Sequence, residues 1–79
     1  MNHEKRSVEH YRDYQLISVV ESQPEGWVYT IHVVEHDGDT DHLRCEESSA
    51  GHYGSDIEAL HAARERGHEL VDALAAQVS

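Results

Sequence analysis

The sequence predicts an α+β domain: a three-stranded antiparallel β-meander with a long C-terminal helix packed on one of its faces. Three observations carry this. Trp27 to His36 alternates apolar and polar residues with a period of two. Tyr14 to Val20 is rich in β-branched and aromatic residues and is separated from that run by Gln23-Pro24-Glu25-Gly26, which holds the chain's only proline. From Ser55 onward the apolar residues recur at helical rather than strand spacing.

The chain has 79 residues, enough for one domain and one small core, a size at which association often supplies the burial that the fold alone lacks. Residues 1–79 are therefore read as a single domain: 1–13 an N-terminal arm or short helix, 14–47 the sheet, 48–54 a loop and 55–78 the helix. With the short helix the order would be α-β-β-β-α. Leu, Ile, Val and Phe make up 16 of the 79 residues, and the formal charge is −10. That composition borders on disorder, but the regular spacing of the apolar residues argues for a folded chain.

In residues 1–13, Val8 and Tyr11 stand three apart behind Ser7, which suits a helical turn or a loose arm. Tyr14-Gln15-Leu16-Ile17-Ser18-Val19-Val20 is the first strand. A four-residue turn at Gln23–Gly26 then opposes Val20 with Tyr29 and Leu16 with Val33, leaving Ile17 and Val19 on the outer face. In the second strand Trp27, Tyr29, Ile31 and Val33 share the more apolar face. Val28, Thr30, His32, Val34 and His36 share the other. Asp37-Gly38-Asp39 turns the chain with Gly38 or Asp39 at positive φ. A three-residue turn opposes Val33 with Leu43 and Ile31 with Cys45, which turns Leu43 and Cys45 inward and His42, Arg44 and Glu46 outward. The small residues Ser48 to Gly54 make the crossing loop.

Ser55 followed by Glu58 is a capping box, so the helix starts there, Glu58 reaching back to the Ser55 N–H. Ile57, Leu60, Ala63, Gly67, Leu70, Val71, Leu74 and Val78 are placed on its apolar face. Gly67 in mid-helix implies close packing on the sheet, over Trp27 or Tyr29.

Sixteen acidic against six basic residues disfavour a phosphate backbone as ligand, so no direct nucleic-acid binding is expected. No apolar run reaches the roughly 18 residues of a membrane span. The N-terminus lacks the apolar run of a signal peptide, and the single Cys45 cannot close an internal disulfide; a cytoplasmic setting follows as the expectation. Eight histidines would move the formal charge from −10 to −2 if all were protonated.

The residues offer four chemical readings. His36-Asp37-Gly38-Asp39-Thr40-Asp41-His42 begins like a calcium loop, but counting from Asp37 the glycine and glutamate positions hold His42 and Ser48, so a solvated turn is the better reading. On the helix, His61 with Glu65 and His68 with Asp72 stand at i, i+4 as supporting pairs, too far apart for one zinc site. His32, His36 and His42 are the best metal candidates, on the expectation that they approach one another across one sheet face. For nucleophilic catalysis, Cys45 faces the core, Ser55 serves as the cap, and Ser48 and Ser49 lack an assembled base and acid. No enzyme and no cofactor is expected.

The stretch from Gly26 to Leu74 joins Gly26-Trp27-x-Tyr29-x-Ile31, a small-residue loop, Ser55-Asp56-Ile57-Glu58-Ala59-Leu60 and a long helix. It resembles small uncharacterised proteobacterial β-β-β-α proteins, and more faintly the partner-binding half of HicB-type antitoxins. The latter resemblance implies a protein partner; the Gly-Cys pair and DNA-binding tail of that family have no counterpart here. The α-β-β-β-α order would match double-stranded-RNA-binding domains, whose basic helix start is replaced here by Asp56 and Glu58.

The expectation is a non-catalytic protein-interaction or regulatory module, associating with a protein partner or with itself. Its contact surface is placed on the sheet face away from the helix: Ile17, Val19, Val28, His32, Val34, His36, His42 and Arg44. The alternatives are a metal-binding protein using the three histidines and a HicB-like partner domain.

Overall fold

A computed structural model describes residues 3–77. Four strands precede one helix: β1 (Glu4–Tyr11), β2 (Tyr14–Gln23), β3 (Gly26–Asp37), β4 (Thr40–Ser48) and α1 (Asp56–Gln77). They form one antiparallel sheet in the order β1-β2-β3-β4, with α1 across one face. The α+β class and the C-terminal helix agree with the sequence reading, but the sheet has four strands rather than three. The segment read as an arm or short helix is the edge strand β1, so the order is β-β-β-β-α.

β1 is a strand because of its neighbours. It pairs with β2 from Glu4↔Glu21 to Tyr11↔Tyr14, and its helix-side residues meet polar groups of α1. Lys5 bonds Asp56; Glu9 accepts from Arg64 at 3.2 Å and lies 3.0 Å from His68 Nε2; the Tyr11 hydroxyl donates to Asp72 at 3.0 Å. Its turn into β2 places Arg12 at φ 57°, a left-handed conformation that costs a non-glycine residue about 1–2 kcal/mol. From there the Arg12 guanidinium reaches Asp72 at 2.8 Å.

The β2–β3 register is the one expected, with Val20 opposite Tyr29 and Leu16 opposite Val33. The β3–β4 register is not. A two-residue turn, Gly38-Asp39, closes the pair Asp37↔Thr40, with Gly38 at φ 65°, as a first central residue of a tight hairpin requires. That turn alone would put Leu43 and Cys45 on the wrong side. A β-bulge between Val33 and Val34 takes up one residue, so that Val34 opposes Leu43 while Val33 opposes Cys45. Cys45 therefore stays on the helix side, and Leu43 joins the open face, 56% exposed.

The core lies between α1 and the two central strands: Leu16, Val20, Ile31 and Val33 from the sheet, flanked by Tyr14 and Tyr29, against Ala59, Ala63 and Val71. The small residues let the helix approach. A Cβ on Gly67 would stand 2.5 Å from both Leu16 methyls, so the close contact is over Leu16, not over Trp27 or Tyr29. Ile57, assigned to the apolar face, is 76% exposed. At 100° per residue it lies about 120° round the helix from the middle of the stripe of Ala59, Ala63 and Gly67, and so off that stripe. Val78 lies outside the described residues.

Ser55 does cap α1: its Oγ accepts from Glu58 N at 3.2 Å. The Glu58 carboxylate bonds Gly54 N at 3.1 Å, one residue earlier than the capping box predicts. The loop before it is tied back by two backbone hydrogen bonds between Trp27 and Tyr53, each 2.8 Å.

Candidate interaction surface

Opposite residues of an antiparallel ladder point to the same side, so the register assigns every side chain to a face. The face away from α1 carries Ile17 and Val19 from β2, Val28, Thr30, His32 and Val34 from β3, Val8 and His10 from β1, and Leu43 from β4. Val8, which sequence reading placed in an arm, is 50% exposed there. It extends the face instead of covering it. The four central aliphatics, Ile17, Val19, Val28 and Val34, are half-buried, and Val28 also borders the loop that follows β4. Carboxylates on this face stand at its ends and edges: Glu4 and Glu21 at one end, Asp41 and Glu46 on the β4 edge.

Of the eight residues placed on this surface from the sequence, Ile17, Val19, Val28, His32, Val34 and His36 share it. His42 and Arg44 do not, because the two-residue turn and the bulge shift them. His42 pairs with Glu35, on the helix side. Arg44 bonds Glu35 Oε1 through Nε at 2.9 Å and through its terminal nitrogen at 2.5 Å. Val8 and Leu43 are the two aliphatic members that sequence reading missed. Val8 had a signal, as the lone aliphatic in an otherwise polar strand; the side of Leu43 depends on the turn being two residues long rather than three.

The same shift separates the three histidines proposed for a metal. His36 Nδ1 lies 2.5 Å from Asp41 and its Nε2 3.1 Å from Gln15; His32 Nδ1 lies 3.5 Å from Glu46; His42 is on the other side. Among the described residues no group of three or more His, Cys, Asp or Glu side chains converges on a point that could hold a metal ion.

The helix side holds the ionisable clusters, and these clamp α1 along both flanks. Towards β1, Glu9 lies between His68 and Arg64, and the Tyr11 and His68 rings stack at 4.2 Å. Burial pushes the Glu9 carboxyl up, but the hydrogen bonds from His68 and Arg64 outweigh it and hold the group below the usual range. His68 and Asp72, expected to pair with each other, turn to β1 instead; His61 and Glu65 do pair, at 3.1 Å. Towards β4, Arg66 donates twice to Glu47, at 2.7 and 3.1 Å. This depresses the Glu47 carboxyl and raises the guanidinium. Each of these carboxylates already has a cationic partner.

An open cleft of about 350 Å³ lies beside the end of β3, lined by Glu21, Thr30, Ser48, Ser49 and His52 among others. Apart from Glu21, the polar side chains just named are engaged with one another, with Gln23 or with backbone. Ser49 Oγ accepts from Tyr29 N at 3.2 Å and donates to Gly51 O at 3.0 Å; Thr30 and Ser48 hydroxyls are 3.4 Å apart; His52 lies 3.4 Å from Gln23. The arrangement braces a loop rather than activating a nucleophile. Cys45 is half-buried and packs against the core. No helix of the described residues is long and apolar enough to cross a membrane.

No protein family matches this chain, and neither a curated protein nor a solved structure resembles it closely enough to count as a match.

Proposed function

We propose that the protein is a non-catalytic association module whose contact surface is the open face of its sheet. One observation carries the reading: the two central strands are apolar on both sides, yet the helix covers one. Leu16-Ile17-Ser18-Val19-Val20 and Ile31-His32-Val33-Val34 read as near-continuous apolar runs, the pattern of strands covered on both faces. An antiparallel sheet with one wet face shows polar residues in alternation instead. The apolar centre and charged margin of the open face have the anatomy of a contact surface. Grouped aliphatics of this kind mark association sites more often than single exposed ones.

The test is site-specific photo-cross-linking in the source cell, with the photoreactive residue placed either at Thr30, in the middle of the open face, or at Glu65, on the outer side of α1. Adducts are expected from position 30 and not from position 65. Adducts from the helix alone would move the contact surface to the other side of the molecule and end this reading.

A further inference from the structure

We infer that the open face is covered by a second copy of this chain, the two sheets packing face to face about a two-fold axis that crosses the strands at right angles. The inference rests on the proposed contact surface and adds its occupant. Three observations select a second copy.

The first is the poverty of the core. Besides two tyrosines, the fully buried apolar side chains of the described residues are Leu16, Val20, Ile31, Val33 and Val71 with two alanines, and the helix centre is glycine. A domain of this size with so few large buried residues is one that association commonly stabilises. A partner needed for stability has to be present wherever the chain is, and another copy always is.

The second is area. Between Cα atoms the molecule measures 41 × 24 × 15 Å. Its largest projection is therefore at most about 1,000 Å², room enough for the roughly 800 Å² that a standard interface takes from each partner.

The third is self-complementarity. With the two-fold axis passing between the Val19–Thr30 row and the Ile17–His32 row, each central strand lies on its own counterpart running the opposite way. Ile17 then meets the other copy's Val19, Val28 meets Val34, and Thr30 meets His32. Glu21 meets Gln15, and on the margin Glu4 faces His10. These pairs follow from the register. The central aliphatic residues stack on aliphatic ones, Val8 faces Arg6 on the β1 margin, and no two carboxylates oppose each other. Moving the axis onto the Ile17–His32 row would set imidazole on imidazole and Val19 on Gln15. Packed sheets cross at about 30°, so the central pairs define the contact and the marginal ones only border it.

The experiment uses the purified full chain. Sedimentation from about 1 to 100 µM is expected to show a concentration-dependent dimer, and Val34→Asp is expected to leave a monomer with an unchanged helical circular-dichroism signal. Because that variant could fail to fold, a second measurement uses conservative changes. In a Cys45→Ser background, Val28→Cys and Val34→Cys chains are oxidised separately and mixed. A covalent dimer is expected only in the mixture, since each position meets the other and not itself. A wild-type chain that stays monomeric throughout, or a mixture that does not cross-link, overturns the inference. If the chain is monomeric but position 30 still captures a different protein in the cell, the second copy is wrong and the contact surface stands; if neither occurs, both fall.

Discussion

β2 and β3 present two faces built from similar residues, and their fates differ. On the helix side Leu16, Val20, Ile31 and Val33 are fully buried. On the other side Ile17, Val19, Val28 and Val34 are only half-buried. The residue types barely distinguish the two. What distinguishes them is the surrounding ring: the helix side has a charged clamp on each flank, Glu9 with Arg64 and His68 on β1 and Glu47 with Arg66 on β4, whereas the open side has an unpaired apolar centre. A face is closed by the element that brings its own polar partners to the edges. An apolar centre without that element is available for association.

The largest expected effect separates the faces directly. Ile31→Ala should cost about 2–5 kcal/mol by removing a fully buried side chain from the core. Val19→Ala should cost under about 1 kcal/mol in dilute solution, where its face is wet. Denaturation of both variants over a range of protein concentrations checks this. An equal loss from Val19→Ala that grows with concentration would mean both faces are cores of one assembly.

The next effect probes how the covered face closes. Gly67→Ala gains up to about 1 kcal/mol of helix propensity, but the new methyl would fall 2.5 Å from two Leu16 carbons. Overpacking of this kind costs about 1–3 kcal/mol, so the variant should be less stable than the parent. Combining it with Leu16→Val should recover part of the loss. Additive losses in the double-mutant cycle would place the helix farther from the sheet than described.

The smallest effect concerns the clamps. Glu9 and Glu47 have carboxyls held below the ordinary value of 4.5. A group whose folded-state value is depressed contributes stability above its unfolded value and loses it as pH falls through the folded one. Stability should therefore decline as pH falls below about 4.5. Glu9→Gln with Glu47→Gln should lower stability at neutral pH and flatten the acid decline; an unchanged acid limb would show that other carboxylates set it.

Much of the architecture was legible in the residues. The alternation from Trp27 to Val34 named the inner and outer sets of β3, and matching its apolar side against Leu16 and Val20 returned the observed β2–β3 register, because a slip of one residue would have inverted every side chain. Ser55 marked the helix start through its side-chain oxygen, a local effect that needs no tertiary partner. Six of the eight residues assigned to the open face follow from those two strands alone.

What only the tertiary structure decided lies at the edges. β1 is polar at Glu4, Lys5, Arg6, Ser7, Glu9 and His10, and nothing local favours a strand over an arm. It is a strand because β2 offers its backbone a ladder and α1 offers Lys5, Glu9 and Tyr11 partners some 50 to 60 residues away in sequence. The two-residue turn put Leu43 outward and separated His42 from His32 and His36, and the bulge beside Val33 and Val34 returned Cys45 to the helix side. It reconciles a two-residue turn with the need to keep Cys45 inside, a compromise between two distant constraints. On α1, the stripe of Ala59, Ala63 and Gly67 outranked the bulkier Ile57 as the contact face, because the distance between helix and sheet, set by Leu16 against Gly67, favours side chains small enough to fit beneath it.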